Sequence, residues 1–439
     1  MDLLISLLRG AFGIAVLLGI AYLFSNDRSK INWRLVGMGV LLQLVIAVLV
    51  ILTGPGAAFF KFLGQLFTGL LSFTYEGTKI IFGPLGVPPN DGGTFSIFAF
   101  QVLPTIIFFG SLMGVLYYLG AVQPLVKSMG RFMAKILRIS GAESLATAAN
   151  VFIGQTEAPL VVRPYIKDMT QSELMTLMTG GMATIAGGVL ASYVLFVGGD
   201  DPASQALIAS HLLSASVMSA PAAIVAAKIL VPETETPKTT GDVEVEIPIE
   251  DANVIEAAAT GASDGLKLAL NVGAMLLAFL ALIAGVNFLL GWVGNPSFFG
   301  WEPWDLNTAI QNWSGGSFEG LSLEALFGFV FAPLAWAMGI ETQDILLFGR
   351  LLGEKVAINE FVAYLSLGDL QNVLSERSVI IGTYALCGFA NFSSIAIQIG
   401  GIGPIAPTRR SDVARLGLLA VVGGALASWM TATIAGMMI

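Results

Sequence analysis

Two short polar motifs lie inside stretches of this chain that are otherwise apolar enough for a membrane interior. They read Gly154-Gln155-Thr156-Glu157-Ala158-Pro159 and Asn359-Glu360-Phe361. An ionisable side chain at the centre of a bilayer costs about 2.5 to 3.5 kcal/mol on insertion scales, so such residues face a cavity, a partner or a substrate path. Two motifs of this kind, far apart in the chain, predict one binding site built from two halves.

The residue types in the motifs indicate which ligand such a site would hold. Gln155, Thr156 and Glu157 offer an amide, a hydroxyl and a carboxylate at consecutive positions, which can donate to and accept from a planar polar ligand. Asn359 and Glu360 offer similar groups, and a carboxylate that accepts two hydroxyl hydrogen bonds suits a vicinal diol. The pattern favours a neutral polyhydroxy ligand, since an anion would require arginine or lysine at these positions.

Each carboxylate also has a purely structural interpretation. Glu157 would pair with Arg163 or Lys167 at a solvated turn, and Glu360 would form a salt bridge within its own segment, where Lys355 lies one turn upstream. The sequence leaves these alternatives open.

A third polar string, with flanking aromatic residues, interrupts an apolar stretch near the C-terminus. It reads Phe389-Ala390-Asn391-Phe392-Ser393-Ser394. Ser and Asn side chains pack between membrane helices in many proteins, which is the structural interpretation. The functional interpretation is that the polar groups bind a ligand while the aromatic rings line an apolar wall for a ring.

Composition defines the class of protein that carries these motifs. The chain has 439 residues, a mean hydropathy of +0.81 and 12% charged residues, which is too little polar surface for a soluble globule. The apolar runs have helical length and lack the alternation of a membrane barrel, so we predict an all-α polytopic membrane protein.

The composition also excludes several kinds of site. The single Cys387 excludes an internal disulfide, and the lone His211 excludes a two-histidine metalloprotease motif. A net charge of −9 and scattered basic residues give no nucleic-acid footprint.

Windows of membrane-spanning length predict eight helices. They cover about 3–24, 35–53, 96–120, 171–197, 203–231, 266–293, 378–401 and 413–438. Three basic clusters, at 28–34, 127–138 and 409–415, fall on one side if these spans alternate, and that side should be cytoplasmic. Both termini would then be external, with Trp301, Trp304 and Trp313 as anchors at the outer interface.

The two motif-bearing stretches, 141–167 and about 342–367, are predicted to form re-entrant hairpins of opposite orientation. Non-helical backbone at membrane depth is tolerated only where protein or a water-filled cavity surrounds it. A span, an amphipathic or apolar stretch, a hairpin and two spans occur in the same order in both halves. Such an inverted repeat, with broken helices meeting near the midplane, is a recurring plan of secondary transporters.

Three segments together resemble the signatures of the concentrative nucleoside transporters. They are GQTEAPLVVRPYI at 154–166, the run from Gly353 through Lys355 to Asn359-Glu360-Phe361-Val362-Ala363, and CGFANFSSIAIQIGG at 387–401. The resemblance implies a homotrimer that imports nucleosides such as uridine, cytidine or adenosine across the bacterial inner membrane with sodium and elevator-like access. It implies no other cofactor and no enzymatic activity.

The resemblance also implies roles for individual residues. Gln155, Thr156 and Glu157 would hydrogen-bond the nucleobase, with Val189 against the ring. Glu360, Asn391 and Ser394 would hold the ribose hydroxyls, with Phe389 packed nearby. The sodium ligands would be the side chains of Asn150 and Thr184 and the carbonyls of Ile153 and Ile185. Oxygen ligands of this kind suit a hard cation. Thr184 stands where the family has serine, which keeps the hydroxyl and adds a methyl.

The family's domain plan divides the chain into five parts. These are N-terminal scaffold helices (1–120), a first repeat with hairpin 1 (121–231), an acidic loop and linker (232–265), a scaffold span (266–293) and a second repeat with hairpin 2 (294–439). The hairpins and the remaining core spans would form the moving domain.

Three other functions remain as alternatives. Some relatives run on protons and carry GQSE where this chain has GQTE, so a proton-coupled nucleoside symporter is one. An ion-coupled carrier of another polar solute is the second. An intramembrane hydrolase using Glu157 and Glu360 as acid and base is the third, and it would need both carboxyls in one pocket with an attacking water.

Overall fold

The computed structural model describes residues 2–88, 97–239, 251–296 and 304–439, and these ranges contain helices and no strand. Trp301 and residues 240–250 of the acidic loop lie outside them. We number the α-helices in chain order: α1 (Asp2–Leu23), α2 (Trp33–Ala47), α3 (Gly54–Phe82), α4 (Phe98–Gln101), α5 (Leu103–Tyr118), α6 (Gln123–Leu137), α7 (Gly141–Asn150), α8 (Ala158–Val161), α9 (Gln171–Ala183), α10 (Gly187–Gly198), α11 (Pro202–Leu230), α12 (Val254–Gly294), α13 (Leu306–Trp313), α14 (Leu323–Ala337), α15 (Ile345–Ala357), α16 (Glu360–Leu370), α17 (Glu376–Leu386), α18 (Phe392–Ile405) and α19 (Arg410–Gly436).

Eight helices or helix pairs in the described ranges are long and apolar enough to cross a membrane, and seven of them match the predicted spans. The prediction of one continuous span at 378–401 was wrong, because α17 ends at Leu386 and α18 starts only at Phe392. The span at 171–197 is present but interrupted between α9 and α10. The helix predicted at 266–293 starts at Val254, inside the stretch expected to be linker, where Asn253 caps its first turn.

The sequence windows missed α3. Lys61, Glu76 and Lys79 lower its hydropathy, and its 29 residues make it about 43 Å long. Its middle packs on the first turns of α11, where Gly64 meets the backbone of Ala206. Its last residue, Phe82, contacts Phe100 near the start of α5. Both contacts lie toward the end of the bundle where α11 begins. Helix α3 therefore does not cross from one end of the bundle to the other, and the remaining spans still alternate in direction.

We keep the names hairpin 1 and hairpin 2 for the two stretches that were predicted to be re-entrant. Both are interrupted helices, and they start from opposite ends of the bundle. In hairpin 1, α7 and α8 flank a turn at 151–157; in hairpin 2, α15 and α16 flank Ile358 and Asn359. The start of α7 is joined to the end of α11 by a buried ion pair between Glu143 and Lys228, 2.7 Å apart. The start of α15 lies instead beside α17, since Asp344 accepts a hydrogen bond from the Ser375 hydroxyl.

Arginine side chains form hydrogen bonds between helices at each end of the bundle. At the end with hairpin 1, Arg409 donates to the carbonyls of Ile166 and Met169. At the opposite end, Arg377 donates to the carbonyls of Gly339 and Gly436, at 2.7 and 2.6 Å. The three basic clusters of the sequence all lie at the hairpin 1 end, because Asn26 bonds the Leu230 carbonyl and α6 leads directly into α7.

The two broken spans touch at their breaks, and a glycine permits this. Gly388, between α17 and α18, has φ of +142°, and a Cβ there would lie 2.8 Å from the Met182 carbonyl oxygen near the end of α9. Only glycine adopts this backbone region without strain. The close approach brings the Thr184–Ala186 and Cys387–Asn391 breaks into one layer.

Gly388→Ala should therefore destabilise the protein by about 1 to 3 kcal/mol through backbone strain alone. The measurement is the thermal unfolding midpoint of the detergent-purified protein. Gly400→Ala is the matched control, since Gly400 lies within α18 and a Cβ there meets no atom within 4 Å. Equal midpoints for the two variants would contradict this account of the break.

Candidate functional site

A buried chain of polar side chains runs through the layer where the breaks meet. The Gln155 amide donates to the Ser394 hydroxyl at 3.2 Å. The backbone N–H of Ser394 donates to the Asn391 amide oxygen, and the Asn391 amide nitrogen donates to Glu360 at 2.7 Å. The second carboxylate oxygen of Glu360 accepts from the Tyr193 hydroxyl at 3.1 Å. The chain thus links hairpin 1, the α17–α18 break, hairpin 2 and α10.

Gln398 extends this network from the next turn of α18. Its amide nitrogen lies 3.2 Å from the Gln155 amide oxygen and 2.9 Å from the Met178 carbonyl. Gly181 makes room for both glutamines, because a Cβ there would lie 2.8 Å from Cβ of Gln155. The amide oxygen of Gln398 is buried without a hydrogen-bond partner.

Local helix chemistry explains why the Glu360 carboxylate is placed here. Asn359 caps α16 by accepting from the Val362 N–H, and Asn391 caps α18 in the same way. Glu360 is the first residue of α16, so the unpaired N–H groups and the positive end of the helix dipole lie beside its carboxylate. The two caps therefore give the site a region that stabilises negative charge.

The side chains of Thr156 and Glu157 bond each other and make no hydrogen bond to that buried chain in the described ranges. The Glu157 side chain is exposed and accepts from the Thr156 hydroxyl at 2.9 Å. Its carboxylate lies beside Gly154, on the side of the turn that faces Ala186 in the α9–α10 break. No ion pair in the described ranges joins Glu157 to Arg163 or Lys167, so the surface-pair interpretation was wrong.

Val189 and Phe389 lie in the same layer with different exposure. Val189 is buried in the first turn of α10, and Phe389 is half-buried within the α17–α18 break. The structure thus groups Gln155, Glu360, Asn391 and Ser394 tightly. Val189 lies four residues before Tyr193, and Phe389 lies two residues before Asn391. Glu157 lies outside this group.

A group of oxygen atoms, which we call the oxygen cluster, lies at the ends of α7 and α9, where Gly180 packs on Asn150. The Asn150 amide oxygen is buried and has no hydrogen-bond partner, while its nitrogen donates to the Ala146 carbonyl. The Thr184 hydroxyl donates to the Gly180 carbonyl at 3.0 Å. The Ile153 and Ile185 carbonyls accept no hydrogen bond in the described part of the chain. Two helices, α7 and α9, end here, and their negative dipole ends favour a cation.

Lys355 and His211 make contacts that the sequence left undecided. Lys355 does not pair with Glu360; its ammonium donates to the Ala385 carbonyl at 2.8 Å and to the Ser428 hydroxyl. His211 lies 3.1 Å from the Tyr384 hydroxyl, as a packed polar residue would.

Sequence reasoning missed Tyr193 and Gln398. Both stand alone in apolar helices, and a glutamine inside the string 387–401 was the available signal for Gln398. Tyr193 carried no such signal, because an aromatic residue in a membrane helix is most often packing. Its ring stacks on Tyr364 with centroids 4.3 Å apart.

Broken membrane helices whose ends meet around a central polar layer define the class of secondary carriers. Comparison with known proteins agrees with that class. Family models described as Na+ dependent nucleoside transporter N-terminus and C-terminus match residues 12–85 and 211–436, and one described as nucleoside recognition matches 99–200.

Individual relatives match over nearly the whole chain. An uncharacterized transporter of Haemophilus influenzae is 44% identical, covering 99% of this chain and 98% of its own length. Sodium/nucleoside cotransporter 1 of Mus musculus is 38% identical, covering 97% of this chain and 63% of the mouse protein. The structure of CNTnw in an inward-facing substrate-bound state is 43% identical, with a TM-score of 0.85 over 99% of this chain and 98% of that one.

The chain belongs to the Na+-dependent, or concentrative, nucleoside transporter family. It is an integral membrane transporter and not an enzyme, as the sequence predicted, and the hydrolase alternative is set aside.

Tyr193→Phe should lower nucleoside affinity by about 1 to 3 kcal/mol, roughly 5- to 150-fold, because it removes one of the two side-chain hydrogen bonds that orient the buried Glu360 carboxylate. The measurement is the Michaelis constant for uptake in proteoliposomes. Tyr364→Phe is the control, since the Tyr364 hydroxyl bonds the Thr383 carbonyl and not Glu360. Equal Michaelis constants for the two variants would contradict the orienting role.

Proposed function

We propose that this protein imports nucleosides across the bacterial inner membrane by sodium symport. The observation that carries the proposal is the buried chain from Gln155 to Glu360, with the oxygen cluster at Asn150 and Thr184 on the same two elements. Hairpin 1 supplies Gln155 to the chain and Asn150 to the oxygen cluster, and α10, which follows the break that bears Thr184, supplies Tyr193 to the chain. Binding at one therefore changes the geometry of the other.

The ligand roles follow from the chemistry of each group. Glu360 and Asn391 hold the two ribose hydroxyls, since the carboxylate accepts and the amide donates. Gln155 and Ser394 exchange their mutual hydrogen bond for bonds to ligand. Thr156 and Glu157 complete the nucleobase contacts by rotating toward the ligand, directly or through water, with Val189 and Phe389 against the rings. A neutral ligand is favoured because no arginine lies among these groups.

Sodium is bound by Asn150, the Ile153 carbonyl, Thr184 and the Ile185 carbonyl. The buried amide oxygen of Asn150, which has no partner, supports this assignment, because a buried acceptor left unpaired costs about 1 to 3 kcal/mol unless something binds it. A hard cation prefers such oxygen ligands.

One sodium ion per nucleoside provides enough driving force. Its movement through 100 mV gives about 2.3 kcal/mol, and a tenfold concentration gradient adds about 1.4 kcal/mol, which together support several-hundredfold accumulation.

The packing supports an elevator-like movement of one body against another. Helices α5 and α12 pack closely on each other, where Gly110 faces Gly261 and Gly265 at backbone distance. We assign α5 and α12 to the scaffold. We assign α1 and α2 to the moving body rather than to the scaffold expected from sequence, since Gln43 of α2 bonds both α11 and α19.

The orientation has the hairpin 1 end in the cytoplasm and both termini outside, because the basic clusters lie together at that end. The assembly is a homotrimer in the inner membrane, as expected from the family resemblance.

The function is tested by uptake of radiolabelled uridine and adenosine into proteoliposomes, with a sodium gradient and a proton gradient compared at equal membrane potential. We expect concentrative uptake with sodium. Proton-driven uptake would keep the nucleoside and remove the ion role of Asn150 and Thr184. Absence of uptake under both gradients would instead favour a carrier of another polar solute.

Glu360→Gln and Glu157→Gln should each abolish uptake. For Glu360 we expect a loss of about 100-fold or more, since hydrogen bonds to a charged group are worth about 1.5 to 3 kcal/mol each. Gel filtration and thermal unfolding should be unchanged for both variants. Normal uptake by either one would disprove its role in binding.

Thr184→Val should raise the sodium concentration for half-maximal uptake by about tenfold, because valine keeps the shape of threonine and removes one cation ligand worth about 1.4 kcal/mol. Thr184→Ser keeps the hydroxyl and is the matched control. The reading of Thr184 as a ligand fails if both variants have the sodium dependence of the unaltered protein.

A further inference from the structure

Lys355 is a fully buried ammonium group that none of the proposed roles uses. It lies on α15, in the last turn before the break of hairpin 2. No carboxylate oxygen in the described ranges lies within 4 Å of its nitrogen. Buried charges at membrane depth are costly and need specific partners. The partners here are oxygen atoms, those of the Ala385 carbonyl and the Ser428 hydroxyl.

These oxygen atoms lie where a broken helix ends. Ala385 is the second-last residue of α17, and the carbonyls of the last turn have no donor within the helix. Ser428 donates its own proton to the carbonyls of Gly424 and Ala425, so its lone pair remains for the ammonium. The negative end of α17 and a hydroxyl oxygen thus surround a positive charge that the chain supplies itself.

The first half of the molecule also places oxygen atoms at the end of a broken helix, but without an ammonium. Glu157 and Thr184 differ by 27 positions, as do Glu360 and Cys387. In each half the hairpin turn lies beside the end of a broken helix, α9 in the first and α17 in the second. The first half presents the unpaired Asn150 oxygen and the Thr184 hydroxyl, and no lysine or arginine of the described ranges donates to them.

We propose that Lys355 is a built-in cation, whose ammonium stabilises the end of α17 in the second half as a sodium ion stabilises the end of α9 in the first. The ammonium stabilises the α17–α18 break at all times, whereas the α9–α10 break is fully stabilised only when sodium binds. Lys355 is therefore a positioning residue that limits coupling to one sodium ion per nucleoside. This inference rests on the proposed sodium symport.

Two substitutions separate a cation position from simple packing. Lys355→Ser removes the charge and leaves space and an oxygen ligand, while Lys355→Met fills most of the space without charge or oxygen. We expect Lys355→Ser to lose uptake at low sodium and regain it at high sodium, with the Hill coefficient for sodium rising from about one to about two. Lys355→Met should stay inactive at every sodium concentration.

Thermal unfolding without nucleoside gives a readout that is independent of transport. Sodium replaces choline at constant ionic strength, and a ligand that binds only the folded state raises the midpoint. The sodium-dependent rise should be larger for Lys355→Ser than for the unaltered protein or for Lys355→Met. Equal rises in the two variants, or an unchanged Hill coefficient in Lys355→Ser, would overturn the proposal.

A third measurement needs no substitution and covers variants that fail to fold. The ratio of sodium to nucleoside flux in the unaltered protein should be one, and a ratio of two would overturn the proposal. If the unaltered protein shows no sodium response at all, the proposed symport fails, while a sodium-dependent midpoint confined to Lys355→Ser would still support the cation position.

Discussion

The rest of the structure depends on one constraint: backbone that leaves the helical conformation inside an apolar bundle must find hydrogen-bond partners there. In the described part of the chain, helix breaks at 151–157, 184–186, 358–359 and 387–391 meet in one layer. Side chains in and beside these breaks satisfy the freed backbone groups. Asn359 and Asn391 cap the helices that restart, Gln398 reaches a carbonyl near the end of α9, and Lys355 reaches one near the end of α17.

The helix ends in this layer are sorted by the sign of their dipoles. The ends of α7 and α9 lie at Asn150 and Thr184, where a cation is favoured, and the starts of α16 and α18 lie at Glu360, where a carboxylate is favoured. The same sorting explains how the layer holds a carboxylate and an ammonium that do not touch.

Small residues and end contacts make this layer possible. Gly181 and Gly388 allow the backbone of one break to lie directly on another, and larger residues would separate them. Arg377, Arg409 and Lys228 join helix ends outside the layer, so the hairpins are held from opposite ends of the bundle. Helices joined in this way form one connected body around the layer.

Much of this structure could be predicted from the sequence, because helices that lie in lipid must be apolar and their composition shows it. The helical membrane class, seven of the spans and the polar strings at 155–157, 359–360 and 391–394 all follow from where polar residues interrupt apolar runs. The amphipathic helix α3 was missed because its lysines and glutamate lowered the hydropathy from which spans are predicted. The breaks at Thr184–Ala186 and Cys387–Asn391 lie inside windows that were predicted as single spans, because one polar residue in such a window leaves its mean hydropathy high.

The sequence by itself determined which groups are available to the site, and only the tertiary structure decided which of them face one another. Glu157 and Gln155 are two residues apart, yet one is exposed and the other belongs to the buried chain, because a turn without regular periodicity sets their directions. Tyr193 and Gln398 reach Glu360 and Gln155 from distant helices, and the local sequence does not show which partners they contact. Contacts between distant helices depend on how the helices pack, and packing is a property of the whole bundle rather than of any segment.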